Sequence, residues 1–179
     1  MTTIADKLQQ VQHRVAHACE RAGRDPASVL LLAVSKTFGP DAVLEAARAG
    51  QHAFGENYLQ EAVEKMAALR QMGAPTLQWH CIGPVQSNKT RLVAEHFDWM
   101  HTVDRLKVAQ RLSDQRPAHL PPLQVCIQIN VDGGANKSGV TPQEALALAQ
   151  SVAVLPQLCL RGLMSIPEPA TGFDAQYAL

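Results

Sequence analysis

Lys36 is the residue whose position in the sequence most directly suggests covalent chemistry. It is the last residue of the segment 30–36, in which residues 30–34 are all apolar. When such a run is a buried strand, the stem of the lysine lies in a low dielectric, which disfavours its charged form. The neutral amine is the form that makes a Schiff base with a carbonyl compound. The alternative, a lysine that reaches from the strand end into solvent, fits the same position.

Asn57 follows a second short strand candidate that begins near Ala53. Its carboxamide can donate and accept hydrogen bonds to a bound ring, and Gly55 allows the backbone to approach such a ring closely. The alternative is that Asn57 caps the following helix, as asparagine often does. Spacing alone favours the cap.

Two further segments carry polar chemistry of lower specificity. His80 could transfer a proton or bind a metal, but a single histidine between Trp79 and Cys81 is typical of a hydrogen-bonded core residue, and the spacing predicts no metal site. The glycine-rich residues 133–139 could bind phosphate through backbone N–H groups or form a flexible turn. Lys137 in this segment is a second candidate amine. No Ser/His/Asp or Cys/His nucleophile motif is present in the sequence.

The elements that carry these residues repeat along the chain as strand and helix. A first helix runs from Ile4 to Cys19 and Gly23 can end it, and a second starts at Pro40 and stops at Gly50. Further helices are predicted over residues 58–72, 87–96, 104–115 and 141–155, the last with a capping box at its start. Strands are predicted to begin near Leu30, Ala53, Leu77, Trp99, Leu123 and Leu160.

Repeated βα units are used by the doubly wound sheet and by the (β/α)8 barrel. The first strand is followed by neither a GxGxxG fingerprint nor a phosphate-binding loop, so the barrel is the better prediction. A barrel needs eight strands and six are found, so we expect a single domain over residues 1–179 that holds about the first six βα units and is incomplete at its C-terminus. In a barrel the strand ends that carry Lys36 and Asn57 form the catalytic face.

Composition narrows the class of protein. Sixteen Lys and Arg balance sixteen Asp and Glu, which argues against a nucleic-acid surface or an anionic membrane as partner. No apolar run approaches the length of a membrane span, and the N-terminus does not read as a secretory signal. The four cysteines form no CxxC pair, which fits a reducing compartment. We therefore expect a cytoplasmic protein.

Six segments taken together resemble one known family, the YggS/PROSC pyridoxal phosphate homeostasis proteins. The resemblance spans nearly the whole chain, and the segments occur in the family's order. They are residues 32–37, 54–58, 79–89, 128–130, 137–139 and 162–164.

This resemblance implies a barrel of the alanine racemase N-terminal type with pyridoxal 5'-phosphate (PLP) bound as an aldimine to Lys36. It also implies that Asn57 and Met164 lie at strand ends near the cofactor. Two features depart from the family pattern. Phe38 stands where close bacterial members often carry a second lysine, and the Ser-rich and Arg-Ile-Gly-Thr-like segments that hold the phosphate and the pyridine nitrogen are not found in these residues.

The family resemblance implies a PLP carrier in PLP homeostasis, without robust catalysis of its own, that supplies PLP-dependent apo-enzymes. A racemase would need a base on each face of the substrate carbon. The chain offers only Tyr58 and Tyr177 as tyrosines, and no second domain. Two alternatives stay open: a PLP-dependent amino-acid racemase or decarboxylase, and a fragment that no longer holds PLP. The complete family fold is expected to be a monomer, whereas open strand edges would favour self-association.

Overall fold

The computed structural model describes residues 3–133 and 138–178, and Lys137 with the three residues before it lies outside them. The chain forms two compact units, of which the first ends at Trp79 and the second begins at His80. The helices are α1 (Ile4–Arg21), α2 (Pro40–Arg48), α3 (Leu59–Gln71), α4 (Thr90–His96), α5 (Leu106–Gln115), α6 (Pro142–Ala153) and α7 (Phe173–Ala178). The strands are β1 (Ala33–Val34), β2 (Ala53–Glu56), β3 (Gln78–Cys81), β4 (Trp99–Val103), β5 (Leu123–Gln128) and β6 (Leu158–Met164). Short 3-10 helices occur at Pro26–Ser28 and Ser87–Lys89.

Neighbouring strands within each unit are parallel and follow the order of the sequence. In the first unit β1 pairs with β2, and the Gln78 N–H at the start of β3 donates to the carbonyl of His52. In the second unit β3 pairs with β4, β4 with β5 and β5 with β6. Parallel pairing with a helix in each crossover is the α/β pattern that the sequence predicts.

The predicted helices are confirmed, with ends that either coincide with the prediction or shift by up to three residues. The α6 start has the expected capping box, in which the Glu144 N–H donates to Oγ1 of Thr141 and the Thr141 N–H donates to the Glu144 carboxylate. Gly23 and Gly50 lie just beyond the ends of α1 and α2 with positive φ. Such a φ costs glycine little and stops a helix.

The first strand differs from its prediction. The sequence predicts a buried strand that begins near Leu30, yet only Ala33–Val34 forms a strand, and Val34 is 49% exposed. Among the described residues β1 pairs with β2 alone, so one of its edges has no neighbour. The apolar residues of this run are therefore less buried in the fold than their composition suggests.

Each unit has its own packed layer of helices. In the first unit α1 contacts α2 and α2 contacts α3, while the rings of Phe54 and Trp79 pack with centroids 5.8 Å apart. In the second unit α4 contacts α5, α5 contacts α6, and α6 covers β5 and β6. Val108, Leu112 and Ile127 are fully buried there. Over residues 3–133 and 138–178, no helix is both long enough and apolar enough to cross a membrane.

Candidate functional site

Lys36 lies in a tight turn immediately after β1. The Ser35 N–H donates to the carbonyl of Gly55 at 3.0 Å, so the ladder with β2 continues one residue beyond the strand. The Ser35 carbonyl then accepts from the Phe38 N–H at 3.1 Å, which closes a four-residue turn around Lys36. Lys36 is thus the first central residue of a turn that is anchored to the neighbouring strand.

Lys36 and its neighbour Ser35 differ in what their side chains contact. The Ser35 Oγ donates to the buried Glu56 carboxylate at 2.6 Å. Lys36 is half-buried, and its ammonium makes no hydrogen bond or ion pair with any residue that the structure describes. An amine in this position is available to an external reactant.

Thr37, the second central residue of the turn, has a left-handed backbone with φ of 67°. A β-branched residue adopts this conformation at a cost, and such strain is found where the surrounding structure enforces it. The Thr37 N–H donates to Oε1 of Glu61 at 2.9 Å. That carboxylate therefore helps to hold the strained peptide beside Lys36.

Asn57 lies directly after β2, so that it and Lys36 are both at the carboxyl end of this parallel strand pair. Val34 is in register with Gly55, and Lys36 and Asn57 each follow that pair by two residues. The helix-cap interpretation of Asn57 is wrong, because the residue at the start of α3 is Tyr58 and it provides no side-chain cap. The Asn57 Oδ1 is instead buried and has no hydrogen-bond partner among the described residues. A bound polar ligand would supply one.

Three charged residues, of which two are buried and one is partly exposed, lie next to these strand ends and were not predicted from the sequence. Lys65 of α3 is 4% exposed, and its Nζ lies 2.7 Å from Oε1 of Glu56 and 3.0 Å from Oε1 of Glu61. We call Glu56, Glu61 and Lys65 the Lys65 cluster. The hydrogen bond from Lys65 lowers the pKa of Glu61, a bond from the Thr37 N–H lowers it further, and partial burial opposes both. The spacing of Glu61 and Lys65 along α3 was the one available signal.

Met164 belongs to the second unit and ends β6. It is half-buried and in register with Gln128 of β5, so the two side chains share one face of this strand pair. The Gln128 Oε1 is buried and unpaired among the described residues. Met164 is therefore paired across the two strands with a residue whose buried amide oxygen has no donor among the described residues.

His80 is a core residue, as its sequence neighbours predict. It is 1% exposed, its ring stacks on Trp99, and its Nδ1 lies 2.9 Å from Nε2 of His101. Burial, and secondarily the His101 ring, lower the pKa of His80 to about 4. Within residues 3–133 and 138–178, no three His, Cys, Asp or Glu side chains are arranged to hold a metal ion.

Sequence comparison assigns almost the whole chain to one family model. The model of the alanine racemase N-terminal domain matches residues 7–178. The pyridoxal phosphate homeostasis protein of Pseudomonas aeruginosa is 59% identical over 178 residues, which are 99% of this chain and 76% of that protein. The protein of the same name from Escherichia coli K12 is 54% identical over 177 residues, with the same two coverages.

Solved structures give the same result. PipY of Synechococcus elongatus with PLP bound has a TM-score of 0.73 at 36% identity, covering 92% of this chain and 74% of its own. Alanine racemase of Corynebacterium glutamicum has a TM-score of 0.57 at 21% identity, covering 88% of this chain and 44% of its own, and indicates the fold alone. The predicted barrel type is confirmed, with six strands in place. The chain belongs to the family of the pyridoxal phosphate homeostasis proteins, which is built on the alanine racemase N-terminal domain.

Proposed function

We propose that this chain binds PLP covalently through Lys36 and serves PLP homeostasis as a carrier rather than as a turnover enzyme. The observation that carries the proposal is the placement of Lys36 and Asn57 side by side, each just beyond the carboxyl end of its strand in the parallel pair β1 and β2. The Lys36 amine has no partner among the described residues, and the neighbouring Asn57 Oδ1 is buried without a donor. PipY, 36% identical to this chain, has been solved with PLP bound, and the relatives named above support the homeostasis role.

The chemistry follows from the residue types. PLP supplies an aldehyde, which a primary amine can attack, and an electron-withdrawing ring. The Lys36 amine would hold PLP through its aldehyde carbon, in a condensation that releases one water. Lys36 lies in the turn just beyond β1, where its amine has no partner among the described residues. This reaction is reversible, as a carrier requires.

We propose supporting contacts for two further residues. The Asn57 carboxamide, which both donates and accepts, would bind a polar group of the cofactor beside Lys36. Met164 would offer an apolar, polarisable contact at the end of β6. Both assignments extend the family resemblance to positions that follow a strand or end one.

The decisive experiment is an absorbance titration of the chain with PLP, followed by borohydride reduction and peptide mapping. We expect a visible band that reduction fixes on the peptide containing Lys36, and its loss in Lys36→Ala. Lys89→Ala, which removes an exposed lysine from the second unit, serves as the matched control. If Lys36→Ala keeps the band, or if the wild-type chain shows none, the proposal is wrong. Turnover of an amino acid that depends on Lys36 would instead indicate a PLP enzyme.

We propose that residues 1–179 act as one PLP-binding domain in the cytoplasm, where PLP-dependent apo-enzymes would receive the cofactor. The complete family fold would be a monomer. Self-association of this chain would use the edges of β1 and β6 that pair with no other strand among the described residues.

A further inference from the structure

We propose that the Lys65 cluster is a positioning device that fixes the backbone on both sides of Lys36 and so sets how readily Lys36 reacts. The inference rests on the proposed function, because it concerns the same lysine. Glu56, Glu61 and Lys65 would not touch the cofactor. They would act through Ser35 and Thr37, the two residues that flank Lys36.

The residue before Lys36 is held at two points by the cluster. The Lys65 Nζ donates to the Ser35 carbonyl at 2.8 Å, and the Ser35 Oγ donates to Oε1 of Glu56 at 2.6 Å. Both contacts are closed to solvent. Hydrogen bonds to charged groups are stronger than neutral ones, so Ser35 has little freedom to rotate.

The residue after Lys36 is held by the third member of the cluster. Oε1 of Glu61 accepts both the Thr37 N–H at 2.9 Å and the Lys65 Nζ at 3.0 Å. Because Thr37 lies in the left-handed region, the turn would relax to a more common conformation without this contact. The direction of the Lys36 side chain depends on that turn.

The same cluster also holds the end of β2, the strand that precedes Asn57. Glu56 is fully buried and directly precedes Asn57, so the carboxylate that holds Ser35 also holds the backbone leading into Asn57. The three protons of the Lys65 ammonium go to Glu56, Glu61 and the Ser35 carbonyl. One ammonium thus links the chain segments that carry Lys36 and Asn57.

A purely structural role explains this arrangement less well. Buried ion pairs contribute little net stability compared with apolar residues of similar volume, since both charges must leave water. The cluster's remaining hydrogen bonds go to Ser35 and Thr37, the residues around Lys36, rather than to the packed core. This distribution fits positioning.

Glu61 is the member to test, because its side chain is 38% exposed and its removal should leave the fold intact. We would compare Glu61→Ala and Glu61→Gln with Glu64→Ala and Glu64→Gln on the same helix. Glu64 is exposed and accepts only from the Gln60 side chain among the described residues, so it controls for the loss of a helix carboxylate.

The first measurement is amide hydrogen exchange at Thr37 without PLP, and the second is the rate of borohydride-trapped PLP attachment at Lys36. For Glu61→Ala we expect exchange about ten-fold faster and attachment about ten-fold slower, as loss of one charge-assisted hydrogen bond implies. Glu61→Gln should recover most of both, since its amide oxygen still accepts from Thr37. Both Glu64 variants should match the wild-type chain.

The outcomes separate this inference from the function on which it rests. Normal attachment in Glu61→Ala, with or without faster exchange, overturns the positioning role and leaves the proposed function standing. Unchanged exchange at Thr37 overturns it equally. A wild-type chain that attaches no PLP at Lys36 overturns both.

Discussion

The Oε1 atom of Glu56 lies 2.7 Å from the Nζ atom of Lys65, and this ion pair is almost completely closed to solvent. Glu56 ends β2 and Lys65 lies in the middle of α3, so the pair joins the sheet to the helix that follows it. Glu56 directly precedes Asn57, and both members of the pair bind Ser35, which precedes Lys36. The stability of the first unit and the geometry of the candidate site therefore depend on the same contacts.

Replacing one partner of this pair should be strongly destabilising. Lys65→Met leaves the Glu56 carboxylate buried without its counter-ion, and we expect a loss of about 3–5 kcal/mol in the free energy of unfolding. The double variant Lys65→Met/Glu56→Gln removes both charges and should recover much of that loss. Urea denaturation followed by circular dichroism measures both. A Lys65→Met chain within about 0.5 kcal/mol of wild type would show that the pair contributes little.

Acidification should destabilise the chain through His80. Its folded pKa of about 4 lies below the ordinary value of 6.5, so between these values the unfolded state binds more protons. The contribution of His80 is complete above pH 6.5 and is lost as the pH falls toward 4. We expect a loss of up to about 3 kcal/mol, at about 1.4 kcal/mol per pKa unit.

His80→Gln should therefore reduce the difference in unfolding free energy between neutral and acidic buffer. His13→Gln, at an exposed position on α1, should leave that difference as it is in the wild-type chain. Equal pH dependence in His80→Gln and wild type would exclude His80 as the titrating group.

Gly139→Ala should disrupt the segment that follows β5. A Cβ at this position would lie 2.7 Å from the Asn130 nitrogen and 2.8 Å from the Ile129 carbonyl carbon, and φ is +119°. We expect a loss of about 3 kcal/mol from crowding and backbone strain together. Gly133→Ala has a positive φ, but no heavy atom of the described residues lies within 4 Å of its Cβ, and the change should cost only about 1 kcal/mol. Chemical denaturation of the two variants compares them, and equal losses would mean that crowding is relieved.

Thr141→Ala should weaken the start of α6. Loss of the Oγ1 that accepts from the Glu144 N–H should reduce the unfolding free energy by about 1 kcal/mol. Thr141→Ser keeps the hydroxyl and should retain most of that stability. Thermal denaturation distinguishes the two, and a serine variant as unstable as the alanine variant would assign the effect to the lost methyl group.

Leu163→Lys should reduce self-association of the chain. Leu163 is 63% exposed on β6, which among the described residues pairs only with β5. A lysine on an edge strand disfavours edge-to-edge pairing. Leu146→Lys, at a 68% exposed leucine on α6, is the control and should have little effect. Sedimentation velocity at several concentrations gives the comparison, and a wild-type chain that stays monomeric throughout would contradict the expectation.

Much of the fold could be predicted from local patterns. Apolar runs, glycine stops and the Thr141–Glu144 capping box place helices and strands close to their observed bounds, because each depends on residues within a few positions of one another. The motifs around Lys36 and Asn57 indicate the family because they too are short runs of neighbouring residues. The exposure of β1 could not be predicted from local patterns, since the burial of a strand depends on the strands and helices that pack against it in the fold.

The sequence by itself therefore determined the βα repeat, the family and the candidate lysine. Tertiary structure decided what surrounds that lysine: the left-handed Thr37, the unpaired Asn57 Oδ1 and the Lys65 cluster. Lys65 is 30 residues from Ser35 along the chain, yet its Nζ donates to the Ser35 carbonyl. Only packing of α3 against the ends of β1 and β2 creates that contact, and desolvation in this packed position is what makes each charge require its partners.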